Sequence, residues 1–315
     1  MLLAKPETLD SRVSRGLAFA LTSALTFGLS GPFAKALMDA GWTPTAAVIA
    51  RLAGGAIALA AVATVVRPQW IAEARRHAGT VVLYGAIPIA GAQLCYYNAV
   101  AHLSVGVALL LEYTAPILVV GWIWATTRRR PGTATLAGMM LSIAGITLVL
   151  NIFGDGPARV NTVGVLWATG AAICAACYFM MSASATSTGT DTGETLHPLT
   201  LATGGLLVGG AVVTALGITG ILPLAFSTAD VTVAGFTAPW FVAVLVLGLF
   251  STAIAYTLGI AGVARLRPGF ASLVGLSEVL FAVLWARVLI GEAMTTVQAL
   301  GAAVVLAGLI LARPR

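Results

Sequence analysis

Residues 103–131 read LSVGVALLLEYTAPILVVGWIWATTRRRP, an apolar run broken by one acid, Glu112, and closed by three arginines and a proline. At about 1.5 Å per residue, positions 104–126 are long enough to cross a hydrocarbon core of about 30 Å as a single helix. A water-soluble helix of that length has a charged face, and this one has Glu112 alone. The stretch therefore predicts a transmembrane helix with a carboxyl near half depth and a basic anchor at one end. An acid at that depth costs at least about 2.5 kcal/mol, so Glu112 requires a cavity or a polar partner.

The rest of the chain has the same character. It has 315 residues, of which 59% are hydrophobic and 9% are charged, and its mean hydropathy is +0.99. A soluble domain carries about 25% charge, so the composition excludes one and indicates a polytopic membrane protein. Ten apolar runs are expected to span, near residues 16–38, 45–66, 79–100, 104–126, 133–152, 162–184, 198–221, 239–261, 269–290 and 295–312. Turn signals separate them, among them Gly41-Trp42-Thr43-Pro44, Arg67-Pro68 and Gly154-Asp155-Gly156-Pro157. The formal net charge of +6 follows from topology and does not point to nucleic acid. With the N-terminus inside, Lys5, Arg12, Arg15, Arg67, Arg75, Arg76, Arg128, Arg129, Arg130, Arg265, Arg267, Arg313 and Arg315 all fall on the inner face, and Arg159 alone falls outside. Both termini are thus expected in the cytoplasm of a bacterial-type inner (plasma) membrane, and the first run is expected to be a retained helix after a polar leader. Cys95, Cys174 and Cys177 lie in apolar runs and imply no disulfide framework. Cys174-x-x-Cys177 has no second pair or nearby histidine, so no metal is expected there.

Shifting the chain by 163 residues superimposes Gly85 on Gly248, Leu103 on Leu266, Gly106 on Gly269, Ala108 on Ala271, Trp122 on Trp285, Gly138 on Gly301 and Ala144-Gly145 on Ala307-Gly308. One register held through three helices predicts two five-helix repeats. Five is odd, so the second repeat enters from the opposite side and the repeats are inverted, with a pseudo-twofold axis in the membrane plane. The expected organisation is a cytoplasmic leader at 1–15, repeat one at 16–152, an outer linker at 153–161, repeat two at 162–312 and a cytoplasmic end at 313–315. The fold class is an all-α polytopic bundle of ten transmembrane helices.

Lys35, Arg51, Glu112, Glu278 and Arg287 are the charges inside spans. Glu112 and Glu278 lie at similar depth, and the repeat register sets Glu278 opposite Ala115, which shares a helix face with Glu112. The two carboxylates are expected to project into one central space, to bind a substrate amine or exchange a proton; packing against Tyr or Thr is the structural alternative. Lys35 can pair with Asp39 one turn on or meet substrate. Arg51 has only small apolar neighbours in sequence and requires a partner on another helix. Arg287 is expected to be satisfied by Glu292 or by headgroups. Tyr96, Tyr97, Asn98, Tyr113, Trp167, Tyr178, Ser251, Thr252, Tyr256 and Ser277 could supply the polar and aromatic wall of a site, or serve as interface and packing residues. Gly205-x-x-x-Gly209 reads as close helix packing.

Gly31-Pro32-Phe33-Ala34-Lys35 followed by Arg51, and Gly291-Glu292 followed by Gln298 and Gly301, resemble the EamA family of the drug/metabolite transporter (DMT) superfamily. Within it, Gly106 through Leu111-Glu112-Tyr113-Thr114-Ala115-Pro116 to Arg129-Arg130-Pro131, with Ser251-Thr252-Ala253 and Ser277-Glu278, resembles bacterial threonine/homoserine exporters. Val279 stands where that resemblance leads one to expect proline. It implies ten spans in two repeats and a central cavity between spans one, three, four, six, eight and nine, where Glu112, Glu278 and Tyr256 would sit. The expected function is secondary export of small metabolites, amino acids first and other metabolites or drugs second. Substrate, lipid bilayer and protons are the expected partners, and no cofactor is expected. No Gly-x-x-x-x-Gly-Lys-Ser/Thr, His-Glu-x-x-His or Gly-x-Ser-x-Gly motif occurs, so ATP-driven pumping and hydrolase chemistry are not expected.

Overall fold

The computed structural model describes residues 9–128, 130–149, 161–186, 196–263, 274 and 277–311. It is built from α1 (Leu9–Phe27), α2 (Ser30–Asp39), α3 (Pro44–Val66), α4 (Trp70–Arg76), α5 (Ala78–Tyr84), α6 (Ala92–Val100), α7 (Val105–Glu112), α8 (Ala115–Thr127), α9 (Thr133–Val149), α10 (Thr162–Thr186), α11 (Pro198–Ile218), α12 (Trp240–Leu245), α13 (Ala255–Val263), α14 (Ser277–Ile290) and α15 (Thr296–Leu311). Among the described residues, seven helical segments are long and apolar enough to cross a membrane: Ser14–Asp39, Pro44–Val66, Ala78–Val100, Val105–Thr127, Thr162–Met181, Pro198–Ile218 and Trp240–Gly262. Thr133–Val149 and Thr296–Leu311 are shorter apolar helices. Arg129, Arg265, Leu266, Arg267, Gly269 and Ala271, the leader before residue 9, the outer linker at 153–160 and the chain end from 312 lie outside the described residues.

The surface shows what solvent the bundle is built for. Ile57 is 72% exposed, Val65 82% and Leu300 61%, while Arg51 is 4% exposed and Ser251 and Thr252 are fully covered. Apolar side chains outside and polar ones inside suit hydrocarbon surroundings, because a lipid-facing polar group finds no water to bond.

Helix starts follow local chemistry. Thr43 accepts the Ala46 N–H with Pro44 at the first helical position, and Ser104 accepts the Val107 N–H to open α7. Two expected spans are broken rather than continuous. The first bends between α1 and α2 at Gly28 and Leu29. The fourth breaks after Glu112, where Thr114 turns its hydroxyl onto the Leu111 carbonyl (2.7 Å), and Pro116 removes an N–H from the start of α8.

Two more spans contain a wide, π-helical turn. Gly85–Gly91 joins α5 to α6, and Val246–Ile254 joins α12 to α13. In the first, Pro88 lacks the N–H that an α-helical ladder would use. Residues 248–254 of the second stand 163 positions after 85–91. Packing has the same correspondence: α3 lies on the second π turn and α11 on the first, α1 on α13 and α10 on α6, and α9 on α15. Ser142 donates to the Val305 carbonyl (3.3 Å), 163 residues away.

The connection after α11 departs from the all-α expectation. It forms a two-stranded antiparallel hairpin, β1 (Val231–Val233) on β2 (Phe236–Ala238), with Val231 paired to Ala238. Its turn uses Ala234 and Gly235 at positive φ (53° and 78°). The Ala234 N–H donates to the Leu289 carbonyl (2.6 Å), tying the hairpin to the end of α14. At the other end of the bundle α4 is also unforeseen: Glu73 accepts from Arg67 Nε (2.8 Å), the His197 backbone N–H (2.7 Å) and the Thr200 hydroxyl (2.7 Å). These bonds fasten the α3–α5 connection to the start of α11. Burial pushes the Glu73 carboxyl pKa up, but the bonds from Arg67, Thr200 and His197 outweigh it and lower the value to about 2.

Candidate functional site

Three of the buried polar residues, Ser30, Ser251 and Thr252, converge on Arg51. Its Nε donates to Thr252 Oγ1 (3.2 Å), its Nη1 to Ser30 Oγ, Gln93 Oε1 (2.6 Å) and Tyr97 Oη (3.4 Å), and its Nη2 to the Ser251 carbonyl (3.4 Å). The guanidinium also lies 5.7 Å from the centre of the Tyr97 ring, and Ser30 Oγ and Tyr97 Oη are 3.1 Å apart. These partners come from three segments other than Arg51's own helix, namely α2, α6 and the π turn before α13. Ser30 is available because the first span breaks just before it, and Thr252 and Ser251 belong to the π turn of the eighth. Every one of these acceptors is neutral, so the cation is hydrogen-bonded without being charge-compensated at contact distance.

Glu112 and Glu278 face this cluster. Glu112 is the last residue of α7, so the break that follows sets its direction. Tyr113 donates to Glu278 Oε2 (2.7 Å), joining the fourth span to α14. Glu112 is within electrostatic reach of Glu278 and Arg51, and Glu278 of Arg51. Tyr256, stacked edge-on against Phe27 with centroids 5.0 Å apart, interacts electrostatically with Arg51, Glu278 and Glu112. One cation and two carboxylates thus lie within electrostatic reach of one another and of Tyr96 and Tyr256, with Tyr97 on Arg51 and Tyr113 on Glu278.

Other expected residues are engaged elsewhere. Lys35 sits 3.9 Å from Asp39 on its own helix. The Asn98 amide donates to the Leu94 carbonyl of its own helix (2.7 Å). Ser277 Oγ donates to the Val274 carbonyl (2.5 Å), and Trp167 packs against the main core. Glu292 does not serve Arg287, which is exposed; it accepts the Val105 N–H (2.9 Å) and caps α7. Gly205 and Gly209 do pack closely, with added Cβ atoms falling 2.8 Å from Tyr84 and 2.9 Å from Ile89.

Ser30 and Gln93 escaped the sequence reading. Gln93 stands one turn before Tyr97 and so shares its helix face, a spacing signal that was present. Ser30 offered none, since its exposure to Arg51 depends on the helix break.

The match to known proteins is consistent with this geometry. The model of the EamA-like transporter family matches residues 14–151 and again 162–313. The threonine/homoserine exporters RhtA of Salmonella typhimurium (strain LT2) and Escherichia coli (strain K12) are each 26% identical to the chain over 231 residues, covering 72% of it and 68% of their own length. One solved crystal structure superimposes with a TM-score of 0.57 at 19% identity, over 95% of this chain and 96% of its own.

Proposed function

This chain belongs to the EamA-like transporter family, and from that premise we propose that it is a secondary exporter of amino acids of the threonine/homoserine kind, working by alternating access. The carrying observation is a buried cation held by neutral acceptors with two carboxylates within its electrostatic reach. A zwitterion entering low dielectric requires both of its charges compensated. Arg51 takes the substrate carboxylate, and Glu112 and Glu278 take its ammonium or a coupling proton. Tyr97, Tyr113 and Tyr256 form the wall. Lys35, Asn98, Trp167 and Ser277 stay in the proposal as residues that meet substrate only in another conformation, because here they bond or pack locally.

The bundle is read as ten spans in two inverted five-helix repeats with cytoplasmic termini. Supporting this are the doubled family match, the π turns 163 residues apart and the corresponding helix contacts. RhtA relatives are named as exporters of threonine and homoserine, which favours amino acids over other metabolites.

Counterflow of radiolabelled threonine, homoserine and other amino acids in proteoliposomes tests this, with wild type beside Glu278→Gln. Saturable exchange lost in the variant is expected, and its response to a pH gradient decides proton coupling. Absence of exchange for every amino acid, with folded protein, redirects the substrate to other metabolites or drugs.

A further inference from the structure

Cys95 on α6 and Cys174 on α10 face one another where these two helices pack together. The packing around them is reciprocal. A Cβ added to Gly91, one turn before Cys95, would fall 2.7 Å from Cys174 Sγ; one added to Gly170, one turn before Cys174, would fall 3.0 Å from Cys95 Sγ. Each sulfur therefore occupies the notch that the other helix's glycine leaves, and the pairings 91 with 174 and 95 with 170 require the helices to run antiparallel. Both cysteines are half-buried, so a small reagent can reach them. Glu112 is within electrostatic reach of both. Among the described residues no third His, Cys, Asp or Glu joins them in a metal-holding group, which argues against a tetrahedral zinc site and leaves a two-thiol valence.

We propose that Cys95 and Cys174 form a dithiol site for organic arsenic(III) compounds, whose occupation ties the third span to the sixth beside Glu112. With an arsenoxide R–As=O, both S–H bonds break, two As–S bonds form, and the oxygen leaves with the two protons as water. Arsenic stays trivalent, so no oxidant is needed. The first As–S bond makes the second intramolecular, which separates this site from any single thiol. Cys177, the remaining cysteine, is not part of it.

The test uses the full-length purified protein and phenylarsine oxide, read by intact mass and by maleimide labelling after denaturation. One phenylarsenic unit per chain is expected, with a single thiol left to label. Half-saturation is unchanged in Cys177→Ala and shifts upward about 100-fold in Cys95→Ala and Cys174→Ala. Release by 2,3-dimercaptopropanol, but not by an equal thiol concentration of 2-mercaptoethanol, is expected. Peptide mapping of wild type requires no variant to fold: it must find Cys95 and Cys174 protected and Cys177 labelled. Three labelled thiols at an arsenical concentration that saturates a dithiol control, or protection of Cys174 together with Cys177, overturns the site. These readouts involve no transport, so they stand or fall apart from the proposed substrate.

Discussion

Arg51 and the Glu112/Glu278 pair lie within electrostatic reach of one another but are held in opposite ways. The arginine, itself on α3, is anchored by five neutral acceptors from α2, α6 and the π turn before α13. Of the carboxylates, Glu278 takes a hydrogen bond from Tyr113, and no hydrogen bond to Glu112 is present among the described residues. A cation fixed in place by neutral acceptors is a pole whose charge is still open to a substrate carboxylate. Acids so lightly held can exchange partners without dismantling the helix packing. A carrier needs both kinds of group, one to hold the site's shape and one to tell loaded from empty.

The fixed pole depends first on helix approach, and breaking that has the largest expected effect. A Cβ on Gly248 would fall 2.9 Å from the Gly54 Cα, backbone against backbone, where the second and eighth spans cross beside Arg51 and Thr252. Gly248→Leu is expected to cost about 1–3 kcal/mol or more and to abolish the monodisperse peak in size-exclusion chromatography. A Cβ on Gly121 meets no atom within 4 Å, and Gly121→Leu is expected to behave as wild type.

The lightly held acids give the next effect. Glu278→Gln and Glu112→Gln are each expected to cut amino-acid counterflow about 10–100-fold, corresponding to the loss of one charge-assisted bond of about 1.5–3 kcal/mol, while leaving Tm unchanged. A Tm loss as large as that of an Arg51 variant would erase the distinction between the two poles. Arg51→Lys keeps the charge and loses the forked geometry that reaches Thr252 and Ser251. About tenfold weaker transport is expected, and here Tm should fall as well.

Tyr113→Phe removes a single hydrogen bond from Glu278 and is expected to slow counterflow about fivefold, equivalent to about 1 kcal/mol. The smallest effect is on an acid held as firmly as Arg51, outside the membrane. Glu73→Gln is expected to lower stability by about 1 kcal/mol and to leave transport unchanged. Because its folded pKa is depressed, Glu73 contributes its full stabilisation above its ordinary value of 4.5 and loses it as pH falls through about 2. The Tm gap between wild type and variant should therefore close over that window.

How legible these features were depended on their range. The apolar runs, their caps at Thr43 and Ser104, and the depth of Glu112, Glu278 and Arg51 were readable because each rests on a residue's own preference for hydrocarbon, water or a helix end. The break after Glu112 carried the local signal of Thr114 and Pro116. The hairpin at 231–238 did not stand out among apolar residues, because a short exposed pair of strands lacks a long periodic pattern. Glu292 looked like a partner for Arg287 five residues away, but the orphan N–H of Val105 at the start of α7 was the stronger claim on a carboxylate.

Sequence alone determined that this chain lives in a bilayer as a set of apolar helices and that three of the charges inside its spans demand neighbours, since partition of a side chain between water and lipid is decided residue by residue. Tertiary structure alone decided who those neighbours are. Ser30 reaches Arg51 through a helix break, Ser251 and Thr252 reach it through a π turn, and Cys95 meets Cys174 over paired glycine notches. Each of these depends on how far one helix is rotated and how closely it approaches another, and no single span encodes that.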